Sequence, residues 1–161
     1  MPKILGFLLL GTAILCFCLE YIRRQQRKWA QTEGFLQLCR HLRGQISCYA
    51  LPISDAVLPL QIEALEECGV LPLLKEGVDF PQALERSKGE LCLEPAALDA
   101  LYAFGAGLGK SYREEQIALC DYTAEELEKA ARQARRDCPR REKLAGSLCL
   151  TGGLALLVLF L

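Results

Sequence analysis

Two uncharged apolar segments, one near each end, most restrict what this chain can fold into. Residues 4–19 have the sequence ILGFLLLGTAILCFCL, and residues 144–161 have the sequence LAGSLCLTGGLALLVLFL. A helix needs about 20 apolar residues to cross the hydrocarbon core of a bilayer. Lys3 and Arg23 flank the first segment and extend it toward both interfaces. We therefore predict transmembrane helices over residues 1–22 and 144–161, in contact with the lipid bilayer.

The first segment differs from a cleaved secretory signal peptide. A cleavage site requires small residues, and the stretch CFCLEYIRR at the end of this segment offers none. A lipoprotein site would place a small residue before its cysteine, whereas Cys16 follows Leu15. The sequence therefore favours a membrane helix that is not removed.

Basic residues cluster on the inner flanks of both apolar segments. Four basic residues lie between positions 23 and 28, and six lie between positions 132 and 143, whereas the outer flanks carry only Lys3. Cytoplasmic flanks of transmembrane helices are enriched in Lys and Arg. We therefore predict that residues 23–143 form a domain that faces the cytoplasm and is held to the cell membrane at both ends.

The nine cysteines and the single histidine do not form a metal-site pattern. No CxxC pair occurs, and His41 has only Cys39 and Cys48 near it in the sequence, whereas zinc requires four ligands at recognisable spacings. A disulfide framework suits small loop-rich secreted domains rather than long helices. We expect reduced cysteines that serve as small apolar residues, with no metal and no cofactor.

The segment between the apolar ends has the periodicity of helices and no clean alternation typical of strands. Between Trp29 and Tyr49, apolar residues recur every three or four positions, which predicts a helix continuous with the first span and stopped by Pro52. This stripe consists of Phe35, Leu38, Cys39, Leu42, Ile46 and Tyr49. The predicted fold class is all-α: a helical-bundle cytoplasmic domain flanked by two transmembrane helices.

Shorter helices are predicted to follow. Ser54 caps a helix that Pro59 bends and that ends near Gly69, and a short helix over residues 70–75 closes at Gly77.

The next helix runs from a cap at Asp79 to about Ser87, with Pro81 in its first turn and a turn over residues 87–89 after it. Pro95 then opens a helix whose predicted inner face carries Leu98, Leu101 and Phe104.

One long helix is predicted from Ser111 to the second apolar segment, with a kink at Pro139. The pairs Glu125–Lys129 and Glu128–Arg132 have the favourable i,i+4 order. The alternative is a new helix that starts at Thr123, because TAEE has the pattern of a capping box.

Residues 104–111, FGAGLGKS, resemble a phosphate-binding loop at first sight. The pattern GxxxxGK[ST] requires glycine five positions before Gly109, where Phe104 stands instead. That loop also follows a buried strand, whereas a helix is predicted here. The sequence therefore argues against nucleotide binding.

A tight connection between two helices accounts for the same stretch. Glycines at 105, 107 and 109 are predicted to end one helix and to supply positive φ angles. Ser111 is predicted to cap the next helix, with Glu114 as its capping-box partner. The two helices then fold back on each other as an antiparallel hairpin.

Leu108, Gly109, Ser111 and Gln116 resemble the LG-x-S-D…Q signature of the stage III sporulation protein AB family, with Tyr112 in place of the usual Asp. The N-terminal span with basic residues after it and the glycine-containing terminal span also match that family. The resemblance assigns these four residues a structural role in the turn.

The resemblance implies a membrane-anchored platform subunit of the channel complex that links the mother cell to the forespore and is needed for late forespore gene activation. The family's members are similar to the cytoplasmic domains of type II secretion platform proteins. The expected partners are other proteins of the stage III sporulation A operon, including the ATPase, stage III sporulation protein AA. The expected location is the mother-cell membrane around the forespore, with the domain facing the cytoplasm.

Catalytic and nucleic-acid-binding patterns are missing from the sequence. His41 lies between Arg40 and Arg43 on a helix, which favours a structural or solvated ring. Four glutamates, at positions 63, 66, 67 and 94, form ordinary solvated helix faces or a docking face for a basic partner. A net charge of −1 gives no overall field for nucleic acid. We expect a protein that is not an enzyme and has no small-molecule substrate.

Two alternatives remain at this point. The first is a membrane-tethered adaptor of another cell-envelope assembly. The second is a thiol redox protein that uses Cys138, since Arg135, Arg136, Arg140 and Arg141 would lower the pKa of its thiol.

A fragment of residues 24–141 is predicted to be soluble, helical and monomeric because it lacks both apolar segments. Far-ultraviolet circular dichroism and analytical ultracentrifugation check this expectation. A spectrum dominated by strand signal would contradict it.

Overall fold

The computed structural model describes the backbone of residues 2–48 and 53–160 and the side chains of residues 11–48 and 54–136. Seven α-helices and no strand occur in this part of the chain, which confirms the all-α prediction. The helices are α1 (Pro2–Cys48), α2 (Ile53–Val57), α3 (Glu63–Glu67), α4 (Val70–Lys75), α5 (Phe80–Arg86), α6 (Pro95–Gly107) and α7 (Arg113–Phe160).

The chain divides into two compact units. One consists of Met1–Gln26 together with Ala134–Leu161, and the other of Arg27–Gln133. The long helices α1 and α7 each contribute residues to both units. The division inferred from the sequence, 1–22, 23–143 and 144–161, stays a prediction.

The two predicted membrane spans are helical in their described backbone. Within the described residues, no helix combines the length and the apolar character that crossing a bilayer requires. The side chains of residues 144–161, and those of the first ten residues, lie outside the described part of the chain. The transmembrane helices therefore remain a prediction.

One stripe of α1 forms the centre of the second unit. Phe35 and Leu38 are fully buried and Leu42 is 1% exposed, which is the three-and-four spacing that the sequence predicts. Ile46 is partly buried against the same core cluster. Pro52, predicted to stop this helix, lies outside the described residues, and α1 ends at Cys48.

The helix α7 supplies the opposing face of this core. Cys120, Thr123, Leu127 and Ala131 are buried at helical spacing. The hydroxyl of Thr123 donates a hydrogen bond to the Leu119 carbonyl, 2.8 Å away, within an unbroken helix. A helix start at Thr123 is therefore wrong, and the long helix is confirmed. The side chain of Pro139 lies outside the described residues.

Ion pairs join α1 to α7 at the surface, in the Arg27–Gln133 unit. Arg40 pairs with Glu128, and Arg43 pairs with Asp121. The four side chains are between 37% and 56% exposed, and such surface pairs contribute only about 0–1 kcal/mol each. The apolar stripe therefore accounts for most of the stability of this contact.

The single helix predicted from Ser54 to Gly69 is wrong. The structure has two short helices, α2 and α3, with residues 58–62 between them in non-helical conformations. Pro59 has no N–H, and its ring conflicts with the carbonyl four residues earlier, so the helix cannot continue through it. Ser54 lies inside α2 rather than at a cap, since α2 begins at Ile53. The break allows both Val57 and Leu65 to be fully buried.

The next two helices match their predicted bounds closely. α4 ends at Lys75, and Gly77 follows with φ +83°. The Val78 N–H donates to the Leu73 carbonyl at 3.0 Å and satisfies a terminal carbonyl of the helix. α5 begins after Asp79, with Pro81 in its first turn. Asp79 occupies the predicted N-cap position, but its side chain makes no capping hydrogen bond.

The inner face of α6 differs in part from the prediction. Leu101 and Phe104 are fully buried as predicted, but Leu98 is only half-buried. Ala97 and Ala100 are buried instead. Small side chains at these two positions bring the helix backbone close to its neighbours, which large apolar residues would prevent.

The substitution Phe104→Ala is predicted to lower the free energy of unfolding of the 24–141 fragment by about 3–5 kcal/mol. Phe104 is fully buried and contacts Phe80 edge to face, with ring centroids 5.3 Å apart. Urea denaturation measures the change. Tyr122→Ala is the control, because Tyr122 is 58% exposed and its loss is expected to cost less than about 0.5 kcal/mol. Equal losses in the two variants would contradict this account of the core.

Candidate functional site

Two of the three glycines before α7 have a role that the sequence analysis missed. Gly105 and Gly107 belong to α6 and have ordinary helical backbone, so the prediction of positive φ is wrong for them. A Cβ at Gly105 would lie 2.8 Å from Cδ1 of Phe80, and a Cβ at Gly107 would lie 2.7 Å from Cδ2 of Leu119. These glycines therefore permit α5 and α7 to pack closely against α6.

Gly109 occupies the turn itself. Its φ is +77°, and Leu108 before it has φ −64° and ψ 127°. The Lys110 N–H donates to the Gly107 carbonyl at 3.2 Å, which closes a type II β-turn over residues 107–110. The third position of this turn requires positive φ, and glycine adopts it without steric cost.

The remaining signature residues fix the start of α7. The Tyr112 carbonyl accepts the first helical hydrogen bond, from the Gln116 N–H at 3.0 Å, so Ser111 lies one residue outside the predicted capping position. The capping box of Ser111 and Glu114 is therefore wrong. Instead, the side-chain amide of Gln116 donates to the Ser111 carbonyl at 2.7 Å.

The structure thus brings together all four signature residues predicted from the sequence. Leu108 is buried in the core, Gly109 forms the turn, and Gln116 holds Ser111. Together they set the direction in which the chain leaves α6 and enters α7. Lys110 and Tyr112, which alternate with them, are exposed, and Tyr112 is exposed to 86%.

A pocket of about 320 Å³ lies beside this turn. We call it the turn pocket. Its apolar surface comes largely from buried side chains, whereas Asp79 and Lys110 stand exposed at its rim. It is lined by Ser54, Leu74, Gly77, Val78, Asp79, Phe80, Pro81, Gly105, Leu108 and Lys110.

His41 has a structural environment. It is half-buried, and its Nε2 lies 2.9 Å from the carbonyl oxygen of Ala56, so the ring links α1 to α2. Among the described side chains, no group of three or more His, Cys, Asp or Glu residues is arranged to hold a metal ion.

The buried thiols are poor nucleophiles. Burial, together with the nearby Cys120, raises the pKa of Cys39 to about 12. Burial and the charge of Asp121 raise the pKa of Cys120 to about 11. Reactive cysteines require the opposite shift, because the thiolate is the attacking species. The side chain of Cys138, the candidate of the redox alternative, lies outside the described residues.

Acidic residues dominate the surface of the segment that connects α1 to α7. Residues 53–112 contain ten acidic and four basic side chains, a formal net charge of −6. Of the glutamates noted in the sequence, Glu66 pairs with Lys75 and Glu94 pairs with Lys28. Glu63 and Glu67 are exposed, and the described part of the chain gives them no ion-pair partner.

A known protein family matches this chain over nearly its whole length. The profile of the family described as stage III sporulation protein AB matches residues 3–161. This match covers both apolar segments as well as the signature turn.

A solved structure titled stage III sporulation protein AB has a similar fold. The TM-score is 0.58 at 19% sequence identity, and the alignment covers 70% of this chain and 97% of the other. At this identity the likeness supports the fold alone. No curated protein matches the sequence.

The substitution Gly109→Val is predicted to destabilise the 24–141 fragment by about 1–2 kcal/mol, since a β-branched residue is strained at φ +77°. Thermal or urea unfolding measures the loss. The control is Gly89→Val, because Gly89 also lies in a turn but has no positive φ and open space around it. Unchanged unfolding of the Gly109→Val fragment would show that the turn does not depend on glycine.

Thiol alkylation of the folded 24–141 fragment is predicted to separate its cysteines by burial. A pKa of about 11 at Cys120, instead of 9.0, leaves about a hundredfold less thiolate near pH 8. Cys39 and Cys120 should therefore react at least about a hundredfold more slowly than the exposed Cys48. Site-resolved mass spectrometry measures the rates. Their equalisation in urea is the control, and equal rates in the folded fragment would overturn the predicted burial.

Proposed function

The chain belongs to the stage III sporulation protein AB family and has a role in sporulation, and from this premise we propose that it is a membrane-anchored platform subunit of the complex linking mother cell and forespore. The family match over residues 3–161 is the observation that carries the proposal. In this role the protein positions other subunits rather than catalysing a reaction, and the complex is needed for late forespore gene activation.

Exposed apolar side chains in the first unit support the membrane anchor. Leu15, Phe17 and Leu19 are exposed to 60%, 75% and 49%, on the part of α1 that lies in this unit. Soluble proteins rarely leave large apolar side chains together in water. A lipid environment removes this cost, at about 25 cal/mol for each Å² of apolar surface that leaves water.

The distribution of basic residues supports the proposed orientation. Arg23, Arg24 and Arg27 are exposed just after the first apolar segment, and Arg135 and Arg136 are exposed ahead of the second. Positively charged flanks stay on the cytoplasmic side. We place the Arg27–Gln133 unit in the mother-cell cytoplasm, at the membrane around the forespore.

The proposed partners are other proteins of the stage III sporulation A operon, including its ATPase. A cytoplasmic unit that is compact, helical and strongly charged on one connecting segment has surface available for such partners. Its connecting helices carry the net charge of −6 described above, and surface charge of one sign favours encounter with a complementary partner.

Cys48 is predicted to be shielded from an impermeant maleimide in protoplasts of non-sporulating cells that express the chain in their cell membrane, and to react after permeabilisation. It is exposed at the end of α1, in the unit that we place in the cytoplasm. Cys48→Ser provides the background from the other thiols. Reaction of Cys48 in sealed protoplasts would place this unit on the other side of the membrane and would contradict the proposal.

Removal of the chain from sporulating cells is predicted to abolish late forespore gene activation, measured with a forespore reporter. Crosslinking in cells that carry a tagged copy should retrieve the operon's ATPase. Deletion of residues 144–161 tests whether the second apolar segment is needed. Normal reporter activity without the chain would contradict the platform role, and retrieval of other envelope proteins alone would favour the adaptor alternative.

A further inference from the structure

We propose that the turn pocket is a docking site for a protein partner, and that it accepts one large apolar side chain next to a Lys or Arg of that partner. This inference rests on the proposed function in one respect, since it assigns the site to a protein of the same assembly. It adds the place of contact and the chemistry of the partner segment.

Three of the residues that line the pocket are apolar and buried. Leu74, Phe80 and Leu108 line it and are 3%, 5% and 7% exposed. Its volume of about 320 Å³ is at the small end of the range for ligand sites. A space of this size suits a single large side chain better than a whole cofactor. Burying such a side chain gains about 1.5–3 kcal/mol.

Its walls come from three separate parts of the fold. Ser54 belongs to α2, residues 74–81 form the connection from α4 to α5, and residues 105–110 form the end of α6 with the signature turn. In this wall, Phe80 packs closely against Gly105 and contacts the Phe104 ring edge to face. Since packed interiors resist deformation, the pocket is preformed, which reduces the ordering cost of binding.

The rim gives the site its charge preference. Asp79 lines the pocket, and Asp55 and Glu76 directly follow and precede the lining residues Ser54 and Gly77. These three carboxylates are exposed, and within the described residues none of them forms an ion pair. Lys110 is the one basic residue among those that line the pocket.

The net charge of the surrounding segment also favours a basic partner. The segment of residues 53–112 that builds the whole pocket has a formal net charge of −6. A basic partner segment would gain from this field on approach and from Asp79 when bound. An acidic segment would have Lys110 alone in its favour. Charge complementarity therefore selects a partner that presents Lys or Arg beside its apolar anchor.

Panning a random-peptide phage library on the detergent-solubilised full chain tests the proposal directly. The enriched peptides are expected to share a Phe, Leu, Met or Trp within a few residues of Lys or Arg. The strongest peptide, synthesised with a fluorescent label, is then titrated with the full chain and measured by anisotropy. Enrichment of acidic peptides, or of no peptide, would overturn the proposal.

Matched variants of the full chain locate the binding. Asp79→Asn is expected to weaken the peptide about two- to fivefold, the scale of one exposed ion pair, and Asp99→Asn to leave it unchanged. Both aspartates are exposed and outside ion pairs in the described structure, but Asp99 does not line the pocket. Equal effects of the two substitutions would overturn the assignment of the charge contact.

A pair of added aromatic side chains tests the apolar contact. Ser54→Phe fills the pocket from its edge and is expected to weaken the peptide at least about tenfold. Gln82→Phe adds the same ring on the exposed face of α5, outside the pocket, and should change nothing. Unchanged binding to a folded Ser54→Phe chain would overturn the proposal. If that variant unfolds, the aspartate pair decides, because an exposed Asp→Asn change leaves the core intact.

Different measurements test the turn pocket and the platform role. Loss of forespore gene activation on removal of the whole chain tests the role in the assembly, whatever the pocket binds. Binding of the selected peptide tests the pocket, and it does not depend on which assembly the chain belongs to. A competitor small molecule that displaces the peptide, while no peptide shows a basic preference, would point to a ligand site instead.

Discussion

Burial of one stripe on α1 is the interaction on which the Arg27–Gln133 unit depends. Phe35, Leu38 and Leu42 lie in one core cluster with α7 and with the short helices. The short helices α2 to α5 have five to seven residues each, too few to be stable alone in water. They persist because each contributes buried residues to that cluster. The pocket and the signature turn are therefore secondary to this burial.

Periodicity and helix-terminating residues predict a helix well where the conformation favoured by the local sequence is also the one that packs in the core. The stripe on α1 and the Gly77 end of α4 are such cases. The separation of α2 from α3 is harder to predict from the sequence, because a proline near the start of a helix can either begin the helix or interrupt it. Burial of Val57 and Leu65 decides for interruption, and burial depends on contacts that the local sequence does not specify.

Only the signature residues of the candidate site could be predicted from the sequence. The resemblance identified Leu108, Gly109, Ser111 and Gln116, but the bond between Gln116 and the Ser111 carbonyl required coordinates. Positions 105, 107 and 109 are all glycine, but for different reasons. Glycine at 105 and 107 permits close packing, whereas glycine at 109 permits a positive φ. The turn pocket is formed by three segments that are distant in the sequence, so no local sequence pattern predicts it. The net charge of −6 over residues 53–112, by contrast, follows from the sequence alone.

The pairing of α1 with α7 has a consequence for the growing chain on the ribosome. The ion pairs Arg43–Asp121 and Arg40–Glu128 span 78 and 88 positions of sequence. At about 5–20 residues per second, translation from one partner to the other takes roughly 4–18 seconds. During that interval the apolar stripe of α1 has been synthesised but α7, which covers it in the folded unit, has not. The exposed stripe is then a binding site for a nascent-chain chaperone.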